Sequence, residues 1–184
     1  MTESKQAPHK WEYFLRWRWY PLPAAYLAII LSFYIGATTS LSSADASNLN
    51  QFWEQLFGGL NSPMDIFLNN YEIALVMIVP LLGALFAMYV GYSSGLVISA
   101  FSQVRNVDPV SLFVFTVANP VAFLEFMAYA LAITQGVLIF YAIVRKNFRQ
   151  EMRNTAITVA LVLVILLVAA FLEFGLVKGS LGTL

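Results

Sequence analysis

The chain has 184 residues, of which 60% are hydrophobic and 11% are charged, and its ten basic residues balance its ten acidic ones. A mean hydropathy of +0.74 and apolar runs longer than the roughly 20 residues that cross a bilayer predict an integral membrane protein. The balanced charge gives no indication of a nucleic-acid partner. Cysteine is absent, which excludes disulfides, iron–sulfur ligation and thiol catalysis.

Long unbroken apolar runs, rather than ten-residue alternation, predict a single all-α transmembrane bundle with four or five spanning helices. In chain order we expect an interfacial N-terminal arm, a first spanning helix, an extracytoplasmic loop, a long spanning helix, a broken spanning segment and a last spanning helix. These segments cover residues 1–20, 21–40, 41–70, 72–101, 111–144 and 157–177. The arm mixes four cations with three tryptophans, which indicates the cytoplasmic interface of a multi-pass protein of the cell membrane.

The loop after the first spanning helix lacks Lys and Arg, as is typical of a translocated segment. Its apolar residues recur at the spacing of one face of an amphipathic helix. They are Leu49, Phe52, Trp53, Leu56 and Phe57. This helix is a candidate contact for a partner protein; the alternative is a helix that lies on the outer membrane face or caps the bundle.

The long helix predicted over 72–101 contains Pro80, where we expect a kink. Small residues repeat every four positions along it. They are Gly83, Ala87, Gly91, Gly95 and Ser99. Such a series leaves a smooth groove that lets another backbone come close in lipid.

The segment 111–144 is interrupted at Asn119-Pro120, because proline lacks an N–H and disfavours helix for the residue before it. After the break, one helix face carries an acid and a stripe of small residues, and we expect this face to complement the groove of the long helix. It consists of Glu125, Ala128, Tyr129, Ala132 and Gly136. The last helix ends near a second acid, Glu173.

The charge rule leaves the number of crossings open. With the N-terminus inside, a single crossing of 111–144 divides the cations six against four, whereas two crossings divide them nine against one. The rule favours two crossings, but 34 residues barely suffice for them and no turn residues lie near the midpoint.

The residues offer little for catalysis. The only histidine is His9, so zinc or copper sites of imidazole and thiolate cannot be assembled, and we expect neither a cofactor nor enzymatic activity. Glu125 in a spanning helix is a candidate for a proton or ion pathway. The structural alternative is that Glu125 is protonated, or hydrogen-bonded to Gln135, to Tyr129 or to a carbonyl freed by Pro120.

Four stretches resemble the stage II sporulation protein M family in the same order. PVAFLE resembles its P-H-G-x-x-E element, and IFLNNYEIAL, SGLVISAF and LVAAFLEF resemble three further elements. The matching positions are Pro120 and Glu125, then Asn69, Asn70 and Ala74, then Gly95, Ala100 and Phe101, and last Ala170 and Glu173. Val121 and Ala122 replace the family's His and Gly, and Ser94 and Ser99 replace its Asn and Gly.

The resemblance implies a small bacterial or archaeal membrane protein of a family that is generally not regarded as enzymatic. The sporulation member resembles a scaffold that assembles cell-wall hydrolases. We therefore expect a non-catalytic scaffold or accessory subunit that binds other membrane proteins through smooth helix faces and the loop helix, with a homo-oligomer as a further expectation. The alternatives are an accessory subunit of a respiratory or oxidase-type complex, and a small transporter or ion pathway that uses Glu125.

Overall fold

The computed structural model describes residues 20–58, 62–146 and 148–181, and in these ranges it contains seven helices and no strand. The helices are α1 (Pro21–Ala37), α2 (Ser43–Gly58), α3 (Pro63–Met77), α4 (Leu82–Arg105), α5 (Pro109–Ala118), α6 (Pro120–Val144) and α7 (Phe148–Leu181). The all-helical prediction is confirmed. All but the last residue of the predicted N-terminal arm lies outside the described residues.

Among the described residues, three helices are long and apolar enough to cross a membrane: Leu82–Arg105, Pro120–Val144 and Glu151–Leu176. This is fewer than the four or five that the sequence predicts. α1 and α5 are apolar but shorter, with 17 and 10 residues. At 1.5 Å per residue α1 is about 25 Å long, slightly less than the roughly 30 Å hydrocarbon core.

The prediction of one kinked helix over 72–101 is wrong, because α3 ends at Met77 and α4 begins at Leu82. Pro80 has no N–H to donate, and Leu81 adopts a φ of 64°, so the helical hydrogen bonds stop. The chain returns so closely that a Cβ on Gly83 would lie 2.9 Å from Met77 Cα. α3 and α4 therefore form a tight helical hairpin.

α1 and α4 run parallel and pack along their lengths. The Ser32 hydroxyl donates to the Met88 carbonyl at 2.6 Å, and further along the chain the Ser99 hydroxyl of α4 donates at 2.5 Å to the carbonyl of Thr39, just after the end of α1. Since residue numbers rise in the same direction along both helices, their N-termini lie at the same end of the bundle.

α6 is the central helix and contacts α1, α3, α4, α5 and α7. It runs antiparallel to α1, because the Phe33 ring contacts the Phe126 ring while the start of α1 lines a groove with Val137 and Tyr141. It also runs antiparallel to α7, because Gln135 bonds Thr155 near the start of that helix.

The predicted break at Asn119-Pro120 is present, between α5 and α6. Asn119 is extended, with φ −69° and ψ 129°, and its side chain accepts from the Val121 N–H at 2.9 Å. α5 begins with a similar cap, since Asp108 accepts from the Ser111 N–H and hydroxyl, both at 2.7 Å. These hydrogen bonds favour the carboxylate and lower the pKa of Asp108.

The loop helix exists as α2, and it packs against α4. Leu49 and Trp53 are partly buried, whereas Phe52 is 56% exposed. The side chains of Leu56 and Phe57 lie outside the described residues. α2 therefore covers the bundle with part of its apolar face and leaves Phe52 accessible.

The last helix is longer than the predicted 157–177, since α7 runs from Phe148 to Leu181. The basic sequence that precedes the apolar stretch contains no Pro or Gly. Nothing in it stops the helix, so the polar first turns continue directly into the apolar part.

Candidate functional site

The acid that the sequence analysis singles out has a partner on another helix. The Asn70 side-chain amide of α3 donates to Glu125 Oε1 of α6 at 2.7 Å, and both residues are partly buried. Glu125 lies five residues into α6, about 7 Å from the start of the helix. The predicted hydrogen bond of Glu125 to Gln135 is wrong, since Gln135 bonds residues of α7.

Two further ionisable side chains lie within electrostatic range of Glu125. Tyr129 is 7% exposed, and Glu173 near the end of α7 is partly buried. Glu125 and Glu173 lie close enough for their charges to interact, and Tyr129 lies within the range of both. We call Asn70, Glu125, Tyr129 and Glu173 the carboxyl cluster. It joins α3, α6 and α7.

The carboxyl cluster has limited chemical capacity. Two carboxyl groups can exchange protons with each other or with water. In the described ranges, however, no group of three or more His, Cys, Asp or Glu side chains could hold a metal ion. The cluster therefore offers two carboxyl groups, an amide and a phenol, and this set fits hydrogen bonding or proton exchange.

A second polar site, the Gln135 network, joins α6 and α7. The fully buried Gln135 amide donates to Glu151 Oε1 at 2.9 Å and to the Thr155 hydroxyl at 2.8 Å, and its oxygen accepts from the Thr158 hydroxyl at 2.9 Å. Asn154 donates to the other oxygen of Glu151 at 3.1 Å. Ten residues separate Gln135 from Glu125, which is about 15 Å along α6.

The groove of small residues on α4 is buried within this chain. Gly83, Ala87, Gly91, Gly95 and Ser99 are all buried, and their partner is mainly α1 rather than the predicted face of α6. A Cβ on Gly95 would lie 2.7 Å from the Ala37 nitrogen and 2.8 Å from Gly36 Cα. A residue without a side chain is required at this position because the backbones of α1 and α4 are in contact here.

The small-residue face of α6 packs against the α3–α4 hairpin. Ala128 and Ala132 are fully buried. A Cβ on Gly136 would lie 2.9 Å from the Ile78 oxygen and 3.1 Å from the Met77 oxygen. The backbone at the end of α3 therefore lies directly against α6. This contact shields from lipid the carbonyl groups at the point where the helix ends. Pro120, on the same helix, is its first residue.

The sequence pattern does not indicate that Asn70 meets Glu125, nor does it indicate the Gln135 network. Both partners of the first pair lie in stretches that resemble family elements, but a pattern within one helix does not indicate which neighbour it meets. The sequence contains one weak indication of the network, a polar helix face with the spacing i, i+3, i+4 and i+7. Its residues are Glu151, Asn154, Thr155 and Thr158.

Comparison with known proteins agrees with the resemblance of the four stretches. No curated protein and no solved structure matches the chain. The family model described as stage II sporulation protein M matches residues 22–174, which include the carboxyl cluster, the Gln135 network and the groove of α4. The chain belongs to the stage II sporulation protein M family.

Proposed function

We propose that this protein is a non-catalytic integral membrane scaffold or accessory subunit that assembles with other membrane proteins. One observation carries the proposal: the polar side chains best suited to chemistry hold helices of this chain together. Asn70 with Glu125 joins α3 to α6, and Gln135 with Thr158 joins α6 to α7. Such bonds favour a fixed bundle whose outer surface is the part open to partners.

In the proposed arrangement the bundle crosses the cell membrane five times, through α1, α3, α4, α6 and α7, with the N-terminus in the cytoplasm. The antiparallel pairs and the α3–α4 hairpin support it. The cytoplasmic side then carries eight cations: Lys5, Lys10, Arg16, Arg18, Arg145, Lys146, Arg149 and Arg153. The outer side carries two, Arg105 and Lys178. This division is the bias that the positive-inside rule requires.

The partner would bind at the outer end, where α2 and α5 lie in this arrangement. α5 is apolar yet has no buried residue, and its Phe115 is 74% exposed. Phe52 of α2 is also exposed. Aromatic side chains of this kind are the usual anchors of protein interfaces. The smooth groove of α4 is not a candidate, because α1 occupies it.

Co-purification from native membranes in mild detergent tests the scaffold. We expect stoichiometric membrane proteins to co-purify with the chain and to be lost in Phe52→Glu and Phe115→Glu. Phe148→Glu is the matched control, since Phe148 is an aromatic residue that is 45% exposed at the start of α7, at the opposite end of the bundle in this arrangement. Migration of the unaltered chain as a lone monomer would contradict the proposal. If the co-purifying partner is a respiratory or oxidase-type complex, the protein is an accessory subunit of that complex rather than a scaffold.

A second candidate function is a proton or small-ion pathway, which the proximity of Glu125, Tyr129 and Glu173 supports. Reconstituted vesicles distinguish it. A pathway through Glu125 loses proton flux in Glu125→Gln, because the amide cannot release a proton. Equal flux in the variant and the unaltered chain would remove this candidate.

A further inference from the structure

A groove opens between the start of α1 and the last turns of α6. It has a volume of about 450 Å³ and is lined by Tyr20, Pro21, Val137, Leu138 and Tyr141. The lining thus consists of two aliphatic side chains, a proline and two phenol rings. We call it the α1–α6 groove. Its size and lining suit a length of hydrocarbon chain, and phenol rings are typical of the membrane–water interface.

A cation lies beside the groove, and three more follow it in the chain. The Arg145 guanidinium lies 5.1 Å from the centre of the Tyr141 ring, so it stands at the edge of the groove. Lys146, Arg149 and Arg153 follow within eight residues, and all four side chains are exposed. We call these four residues the basic turn.

One acid lies among the residues of the basic turn. Glu151 is the only acidic residue between positions 145 and 153. Its carboxyl oxygens accept hydrogen bonds from Gln135 and Asn154, which directs them into the bundle. With four cations and one acid, the segment 145–153 still has a net formal charge of +3.

We propose that the α1–α6 groove binds an anionic phospholipid, whose phosphate contacts Arg145 and whose acyl chain lies against Val137 and Leu138. Charge complementarity selects the headgroup, because clustered cations beside the end of a spanning helix attract anionic lipid. The adjoining apolar groove selects a lipid over a free phosphate ion, which would leave that surface uncovered.

Native mass spectrometry of the full-length chain in mild detergent tests the site. The chain is titrated with phosphatidylglycerol or with phosphatidylcholine of the same acyl chains. We expect phosphatidylglycerol to bind at least about fivefold more tightly, and Arg145→Gln to lose about fivefold, since each cation near an anionic surface contributes roughly that factor. Equal affinity for the two lipids would overturn the proposal.

Arg105→Gln is the matched control, because Arg105 lies 5.3 Å from the Phe101 ring in the same kind of stacking contact on another helix end. It should bind phosphatidylglycerol like the unaltered chain. An equal loss in Arg105→Gln and Arg145→Gln would show attraction without a site and would contradict the proposal.

Val137→Trp tests the groove apart from the headgroup. Val137 is 43% exposed, so an indole fits the groove without entering the core, and an unchanged thermal midpoint verifies folding. We expect weaker binding of phosphatidylglycerol. Unchanged binding, or full displacement of the lipid by inorganic phosphate, would mean that the cations bind phosphate alone and would overturn the acyl-chain site.

Discussion

The side-chain amide of Asn70 donates a hydrogen bond of 2.7 Å to Glu125, which lies 55 residues later in the chain. The bond connects α3 to α6, and the turn that follows α3 rests on Gly136 of the same helix. One helix thus holds the α3–α4 hairpin at two levels, by a polar contact near its start and by close backbone packing near its end.

Breaking this bond should destabilise the bundle. We expect Asn70→Ala and Glu125→Ala each to lower the free energy of unfolding by about 0.5–2 kcal/mol, since each leaves its partner unsatisfied. Glu125→Gln should cost less, because its amide oxygen still accepts from Asn70. Denaturation of the purified chain in detergent measures these values, with Glu72→Ala, at an exposed position of the same helix, as control.

The double variant Asn70→Ala with Glu125→Ala completes a double-mutant cycle, which measures the interaction between the two side chains. It should lose less than the sum of the two single variants, because the second substitution removes a group that the first has already left without its partner. Strict additivity would show that the contact contributes nothing to stability.

The sequence predicts helices, the break at Asn119-Pro120 and the small residues on α4, because these features depend on local chemistry. It does not predict that Pro80 reverses the chain. Turns usually expose polar residues, but this one reads VPLLG and exposes Val79, Leu81 and Leu82. An apolar turn in a membrane protein has the same local sequence pattern as a kinked apolar helix, so only the tertiary contacts distinguish them.

Gly95→Ala should destabilise the pairing of α1 and α4 strongly. The added Cβ would lie 2.7 Å from the Ala37 nitrogen and 2.8 Å from Gly36 Cα, and backbone cannot yield as a flexible side chain does. We expect a loss of about 1–3 kcal/mol, the usual cost of overpacking, measured as a lower thermal midpoint. Gly175→Ala is the control, since nothing lies within 4 Å of its Cβ; equal stability of the two variants would refute the packing.

Neighbouring residues on α6 should respond in opposite ways. Gln135→Leu removes donors to Glu151 and Thr155 and should cost about 1–3 kcal/mol. The Thr134 hydroxyl is buried and, within the described part of the chain, has no hydrogen-bond partner. Thr134→Val should therefore leave stability unchanged or raise it. Thermal unfolding compares the two, and a Thr134→Val variant that loses as much as Gln135→Leu would show an unrecognised partner of that hydroxyl.

Single cysteines can test the five crossings directly, because the chain has no cysteine of its own. The arrangement predicts that a membrane-impermeant maleimide labels Val107→Cys in intact cells, and labels Arg149→Cys only after the membrane is opened. Both positions are exposed. The physical reason is the α3–α4 hairpin, which returns the chain to the outer side before α5.

Each alternative arrangement gives a different result. If 72–101 and 111–144 each crossed once, Arg149→Cys would be labelled in intact cells and Val107→Cys would be protected. If 111–144 crossed twice after a single crossing of 72–101, both would be protected. Only the reversal at Pro80 exposes Val107 and shields Arg149, so this pair of labels decides whether the hairpin sets the orientation of the basic turn.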